Sequence, residues 1–157
     1  MRKSLVVYFT CSKETEKVAK KIAEVVDGEL HEIIPEAAYT EEDLNWQDKN
    51  SRSSVEMADE SSRPAIKNKI DNITDYDTIY LGFPIWWYVA PRIINTFLES
   101  YNFANTKIIL FCTSGGSSLD NAYSSLKKEY HYNFLKGDRF SPSISKEELQ
   151  NKLNNIQ

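Results

Sequence analysis

Leu5-Val6-Val7-Tyr8-Phe9 runs directly into Thr10-Cys11-Ser12-Lys13-Glu14-Thr15. Five consecutive apolar, β-favouring residues read as a strand buried on both faces, as in a parallel sheet. The hydroxyl-rich turn that follows opens an amphipathic helix, because Val18, Ala19, Ile22, Ala23, Val25 and Val26 share one helical face. A strand, a short polar turn and a helix N-terminus form a ready anion site, where free backbone N–H groups converge and the helix dipole favours negative charge. The three hydroxyls of Thr10, Ser12 and Thr15 suit a phosphate. The alternative reading is that Ser12 or Thr15 simply caps the helix.

Further along, Glu29 to Ile34 reads as a second strand ended by Pro35. Residues 35–63 lack a clean period. Thr40-Glu41-Glu42-Asp43 looks like a helix start, and Ser51 to Met57 holds a short helical turn. A connection this long is usually functional or an excursion over the surface. Ala65, Ile66, Lys69, Ile70 and Ile73 fit a helix. Thr78 to Phe83 reads as a third strand and Lys107 to Cys112 as a central fourth, with a helix through Ile94, Phe97, Leu98 and Tyr101 between them. Leu119, Ala122, Tyr123, Leu126 and Tyr130 mark another helix. Phe134 to Phe140 is an edge strand weakened by Gly137, and Ser145-x-x-Glu148 is a capping box for a last helix.

This alternation predicts one α/β domain over residues 1–157: a doubly wound, parallel five-stranded sheet of order 2-1-3-4-5 with helices on both faces. Ligands of such sheets bind beyond the carboxyl ends of the strands at the switch point, here between strands 1 and 3. Three loops should meet there. Thr10–Thr15 offers hydroxyls and a helix N-terminus. Pro84-Ile85-Trp86-Trp87-Tyr88 offers flat rings that can stack on a planar heterocycle. Thr113-Ser114-Gly115-Gly116-Ser117-Ser118 offers hydroxyls and glycines that admit a close ligand. Phosphate at one end and a flat ring at the other describe a mononucleotide. Core packing is the competing account for the aromatics and holds for one of the two Trp. Strand-like alternation would send Trp86 and Tyr88 towards the ligand and Trp87 away.

The formal charge of −4 argues against nucleic acid, which needs a basic field. Arg2-Lys3, Lys20-Lys21 and Lys127-Lys128 read as solvated positions. The apolar run behind Arg2-Lys3 is too short for a signal peptide, and no segment reaches the ~20 apolar residues of a membrane span. Cys11 and Cys112 lie far apart; a disulfide between them stays open, but two cysteines in a chain of 157 residues suggest a reducing compartment. The reading is a soluble, cytoplasmic protein. His31 and His131 carry no motif and read as surface or packing residues.

At the three loops the chain resembles the flavodoxins. It is most similar to a bacterial flavodoxin-like group that carries Asp43-Leu44-Asn45-Trp46, Asp48-Lys49, Ser51-Arg52-Ser53-Ser54, Arg63-Pro64, Gly82-Phe83-Pro84-x-Trp86-Trp87, Ala90-Pro91 and Thr96-Phe97-Leu98-Glu99. The resemblance spans nearly the whole chain. It implies an FMN-binding redox protein that transfers electrons through the flavin to a partner protein or a small acceptor. It implies that Thr10, Cys11, Ser12, Lys13, Glu14 and Thr15 surround the phosphate, with Lys13 and Glu14 contributing backbone N–H. Pro84 to Tyr88 and Thr113 to Ser118 would hold the ribityl chain and isoalloxazine. One departure stands out: Lys13 occupies a place where such loops usually have glycine, and Glu14 one that often holds asparagine. A positive φ at Lys13 would cost ~1 kcal/mol, which an ammonium near a phosphate dianion could offset.

Three other readings compete. One is an NAD(P)H-dependent FMN quinone reductase. Another is a non-catalytic binding module on the same fold. The third is a low-molecular-weight tyrosine phosphatase, which needs Cys-x5-Arg; here Cys11-x5 leads to Lys17, which cannot reproduce the guanidinium fork. No sequence feature specifies an oligomeric state.

Overall fold

In the computed structural model, which describes residues 3–156, the three apolar runs become the middle of one sheet. Strands β1 (Ser4–Tyr8), β2 (Glu29–Glu32), β3 (Thr78–Pro84), β4 (Lys107–Thr113) and β5 (Asn133–Arg139) are all parallel, in the order β2-β1-β3-β4-β5. Five helices connect or follow them: α1 (Glu14–Val26), α2 (Arg52–Ala58), α3 (Arg92–Ser100), α4 (Asp120–Glu129) and α5 (Lys146–Asn154).

Side chains of β1 alternate between two cores, which is why its sequence is apolar throughout. Leu5, Val7 and Phe9 join Leu81, Phe83, Ile94, Leu98 and Leu110 on the face covered by α3 and α4. Val6 and Tyr8 join Val18, Ala19 and Ile22 of α1 and Leu149 and Leu153 of α5 on the other. Ser145 caps α5, the first half of the expected capping box: Glu148 N–H donates to Ser145 Oγ at 3.1 Å. β5 is an edge strand, as is β2, and its register shifts opposite Leu110 to Cys112. Gly137 allows this, since a Cβ there would lie 2.2 Å from the Leu110 carbonyl oxygen.

Four local expectations fail. β2 stops at Glu32, two residues before Ile34. The segment from Pro64 to Asn72 is not a helix. It runs beside the chain that leaves β2, bridging Pro35 to Ile66, with Lys67 N–H donating to the Ile34 carbonyl at 2.7 Å. Asn68 reinforces this by donating to the Glu32 carbonyl and accepting from Ile34 N–H. These long-range bonds outweigh a weak local preference, and Ile70 and Ile73 are buried all the same.

Thr40 to Asp43 likewise starts no helix. Its reciprocal side-chain bonds form, at 3.0 and 3.1 Å, but Asn45 and Asp48 then bend the chain by accepting from N–H groups two residues on. Lys21 is not simply solvated: its ammonium donates to the carbonyls of Pro142 and Ile144, fastening α1 to the chain before α5. Lys3 is exposed, whereas Arg2 of the first basic pair lies outside the described residues.

Candidate functional site

The three loops do meet. Cys11 and Ser12 from the first, Pro84 to Tyr88 from the second and Ser117 from the third line one cleft of about 480 Å³ at the carboxyl ends of β1, β3 and β4. Ile85 N–H donates to the Thr113 carbonyl at 3.0 Å and ties the second loop to the third. This volume suits a small molecule.

Around the first loop, neither Ser12 nor Thr15 caps α1. The residue at the cap is Lys13, with φ 69° and no side-chain bond to the helix. The N-terminus therefore keeps its free N–H groups. Glu14 is exposed, and Glu16 pairs with Lys20 at 3.0 Å. Thr15 is buried and its hydroxyl pairs with that of Thr113 at 2.7 Å, across 98 residues of sequence, so both threonines join the first loop to the third. Thr10 Oγ1 is buried and has no hydrogen-bond partner among the described residues. Such an orphan is costly unless something else satisfies it.

The aromatic loop is a tight hairpin turn rather than a strand. Trp86 and Val89 exchange backbone hydrogen bonds, and the two central residues, Trp87 and Tyr88, both have positive φ (49° and 70°). Such turns normally carry Asn-Gly. Two bulky aromatics held there store strain, a frequent mark of a functional segment. The turn also overturns the alternation argument. Trp86 is half-buried, with edge-on contacts to Phe9 and Tyr39, whereas Trp87 and Tyr88 are exposed together.

In the third loop only Ser117 reaches the cleft. Ser114 Oγ donates to the Ser117 carbonyl, and Ser118 Oγ accepts from Asp120 N–H at 3.3 Å. Gly115 and Gly116 are exposed, neither has positive φ, and a Cβ on either would meet nothing within 4 Å. Among the described residues no contact explains these glycines.

The sequence loops missed three lining residues, Leu44, Trp46 and Ser53, all from the long excursion between β2 and β3. Ser53 Oγ is the second buried side-chain oxygen with no partner among the described residues. The excursion is anchored over the cleft. Arg52 sits 3.7 Å above the Tyr39 ring, donates to Glu56 and to the Ala37 carbonyl, and Tyr39 in turn packs on Trp86. Arg92, at the start of α3, donates to the Met57 carbonyl at 2.8 Å. Two of the motifs that carry the family resemblance, Asp43-Leu44-Asn45-Trp46 and Ser51-Arg52-Ser53-Ser54, contain all three residues, and Trp46, an isolated tryptophan in a polar stretch, is 69% exposed.

Cys11 and Cys112 are both free thiols. Burial pushes each from 9.0 up to about 12, against the smaller opposing pull of Arg52 on Cys11 and of Arg139 on Cys112. Burial thus disfavours a Cys11 thiolate near neutral pH, and Lys17 stands where the phosphatase arginine would be, so both parts of that site are missing. A pH effect follows. Unfolded thiols ionise near pH 9 and the folded ones near 12, so unfolding releases protons in between. Stability should be insensitive to these thiols below pH 9 and should fall as pH rises towards 12. Urea midpoints across that range should fall less steeply for Cys11→Ala than for wild type; identical slopes would refute the assignment. Burial also lowers the His31 pKa, and its Nε2 lies 3.3 Å from Asn68 Nδ2, consistent with a packing histidine.

A parallel 2-1-3-4-5 sheet with its cleft at the switch point defines a flavodoxin-like α/β protein. A family model described as flavodoxin matches residues 3–156, and the chain belongs to that family. It is 49% identical to a Bacteroides uniformis chain assigned as a flavoprotein, over 98% of this chain and 99% of that one, with a TM-score of 0.93. A similarly assigned Bacteroides eggerthii chain is 42% identical over 98% and 97%, with a TM-score of 0.95. A Lactobacillus acidophilus flavoprotein solved in complex with FMN is 26% identical over 87% and 91%, with a TM-score of 0.71. None of the curated proteins compared matches the chain. Among the described residues, no helix is long and apolar enough to cross a membrane and no cluster of side chains suits a metal ion.

Proposed function

We propose that this protein binds FMN in the cleft and serves as an electron carrier through it. The observation that carries the reading is the convergence of an uncapped helix N-terminus, an orphaned Thr10 hydroxyl and an aromatic-walled cleft at one switch point. The residues fit the group. The phosphate would take Thr10, Ser12 and the backbone N–H groups of Lys13 to Thr15, with the Lys13 ammonium nearby and Glu14 in solvent. The isoalloxazine would lie against Trp86, Trp87 and Tyr88. Gly115 and Gly116 would let backbone approach the ligand, which accounts for glycines that the protein's own packing does not require. The FMN complex of the Lactobacillus relative supports the same reading.

Bound flavin supplies one- and two-electron redox chemistry. The chain's own contribution is electrostatic and steric. A net charge of −4 and electron-rich rings disfavour added negative charge in the cleft. The bound flavin is therefore expected to have a lower reduction potential than free FMN, as suits a carrier. Fluorescence titration with FMN, thermal melts and spectroelectrochemistry test this together. Quenching, a raised Tm and a lowered potential are expected. A protein that neither quenches FMN nor gains stability from it does not bind it, because a ligand held by the native state alone must raise stability. Rapid NADPH oxidation by the protein alone, with a quinone as acceptor, would move the assignment to a reductase.

A further inference from the structure

A second cavity, of about 400 Å³, opens beside the cleft and shares Trp46 and Trp87 with it. Lys49, Ser54, Met57 and Ala58 complete its walls. We propose that this cavity is a binding site of its own, for a flat aromatic molecule with a single negative charge, such as an aromatic sulfonate or carboxylate. The proposal does not depend on the flavin reading.

The walls set the chemistry. Two indoles, a thioether and a methyl group suit a flat apolar body. Trp46 is 69% and Trp87 44% exposed, so both present ring surface that a stacked ligand would cover. Trp87 is held there by a strained backbone, with φ 49°. Lys49 is the only charged residue in the lining, and among the described residues its ammonium makes no ion pair or hydrogen bond. Ser54 Oγ accepts from Ser51 Oγ at 2.9 Å, which leaves its own proton free to donate. One ammonium, one hydroxyl donor and no acidic side chain favour a single anionic group and reject a cation. The neighbouring carboxylate of Glu56 is already engaged by Arg52 and Tyr39.

The test is a calorimetric titration of the flavin-free chain with anthraquinone sulfonate and with neutral hydroxymethyl anthraquinone. One sulfonate per chain is expected, with the neutral ring binding about fivefold more weakly, the scale of a partly exposed charge pair. Lys49→Gln should bring the sulfonate down to the neutral ring's affinity without changing Tm or FMN titration. The sulfonate should still bind protein saturated with FMN. The proposal is overturned if the sulfonate does not bind, if Lys49→Gln binds it as wild type does, or if FMN displaces it, which would make the two cavities one groove. Failure of FMN binding alone would leave the first two measurements decisive.

Discussion

Replacing Thr10 by valine is expected to stabilise the flavin-free protein while weakening FMN by about tenfold or more. The two shapes are nearly the same, so the change removes little but a buried hydroxyl with no partner. An unsatisfied buried hydroxyl costs ~1–3 kcal/mol, and its removal should return part of that to stability. A hydrogen bond to a phosphate dianion contributes ~1.5–3 kcal/mol, and its loss appears in affinity. Riboflavin, which lacks the phosphate, should bind both proteins alike. Urea denaturation of the apoprotein and parallel FMN and riboflavin titrations decide the matter. If the variant loses stability and binds both flavins as wild type does, Thr10 is structural and the phosphate loses its best side-chain partner. Thr15→Ala should behave differently: it breaks the buried pair with Thr113 and should lower stability as well as affinity.

The largest loss of stability is expected from Gly82→Ala, about 3 kcal/mol, near the top of the overpacking range. A Cβ at Gly82 would lie 2.1 Å from the Phe111 ring. That ring is 1% exposed and packs against Phe140 at 6.4 Å, so it has little room to swing. Gly82 and Phe111 are register partners on β3 and β4. Pushing these strands apart also displaces the aromatic loop and the glycine–hydroxyl loop at their ends, so FMN affinity should fall with stability. Domains are stable by only ~5–15 kcal/mol, which makes the shift easy to read in a urea midpoint. The double variant Gly82→Ala/Phe111→Leu should recover part of the loss, because the smaller side chain frees the space. A Gly82→Ala protein within about 0.5 kcal/mol of wild type would mean that the ring moves freely and that the strands are not locked by this contact.

Much of the architecture was legible because its signals are local. The buried central strands announce themselves as unbroken apolar runs: β1 at Leu5–Phe9 and β4 at Ile108–Cys112. Helices α1, α3 and α4 show one apolar face, and α5 a capping box. From these the sheet order, the switch point and the three loops at the cleft follow by topology alone. The family resemblance added flavin as the expected guest.

Contacts between distant segments set what no period encodes. Residues 64–72 carry apolar spacing fit for a helix, yet Asn68 and the Pro35–Ile66 bridge hold them extended, because those partners lie more than 30 residues away. Leu44, Trp46 and Ser53 enter the cleft only because Arg52, Tyr39 and Arg92 fasten the long excursion across it. Trp86 went inward and Trp87 and Tyr88 outward because the loop closes as a tight turn, where strand alternation no longer applies. Local composition determined which loops carry chemistry; long-range hydrogen bonds and ring packing determined which side chains those loops present.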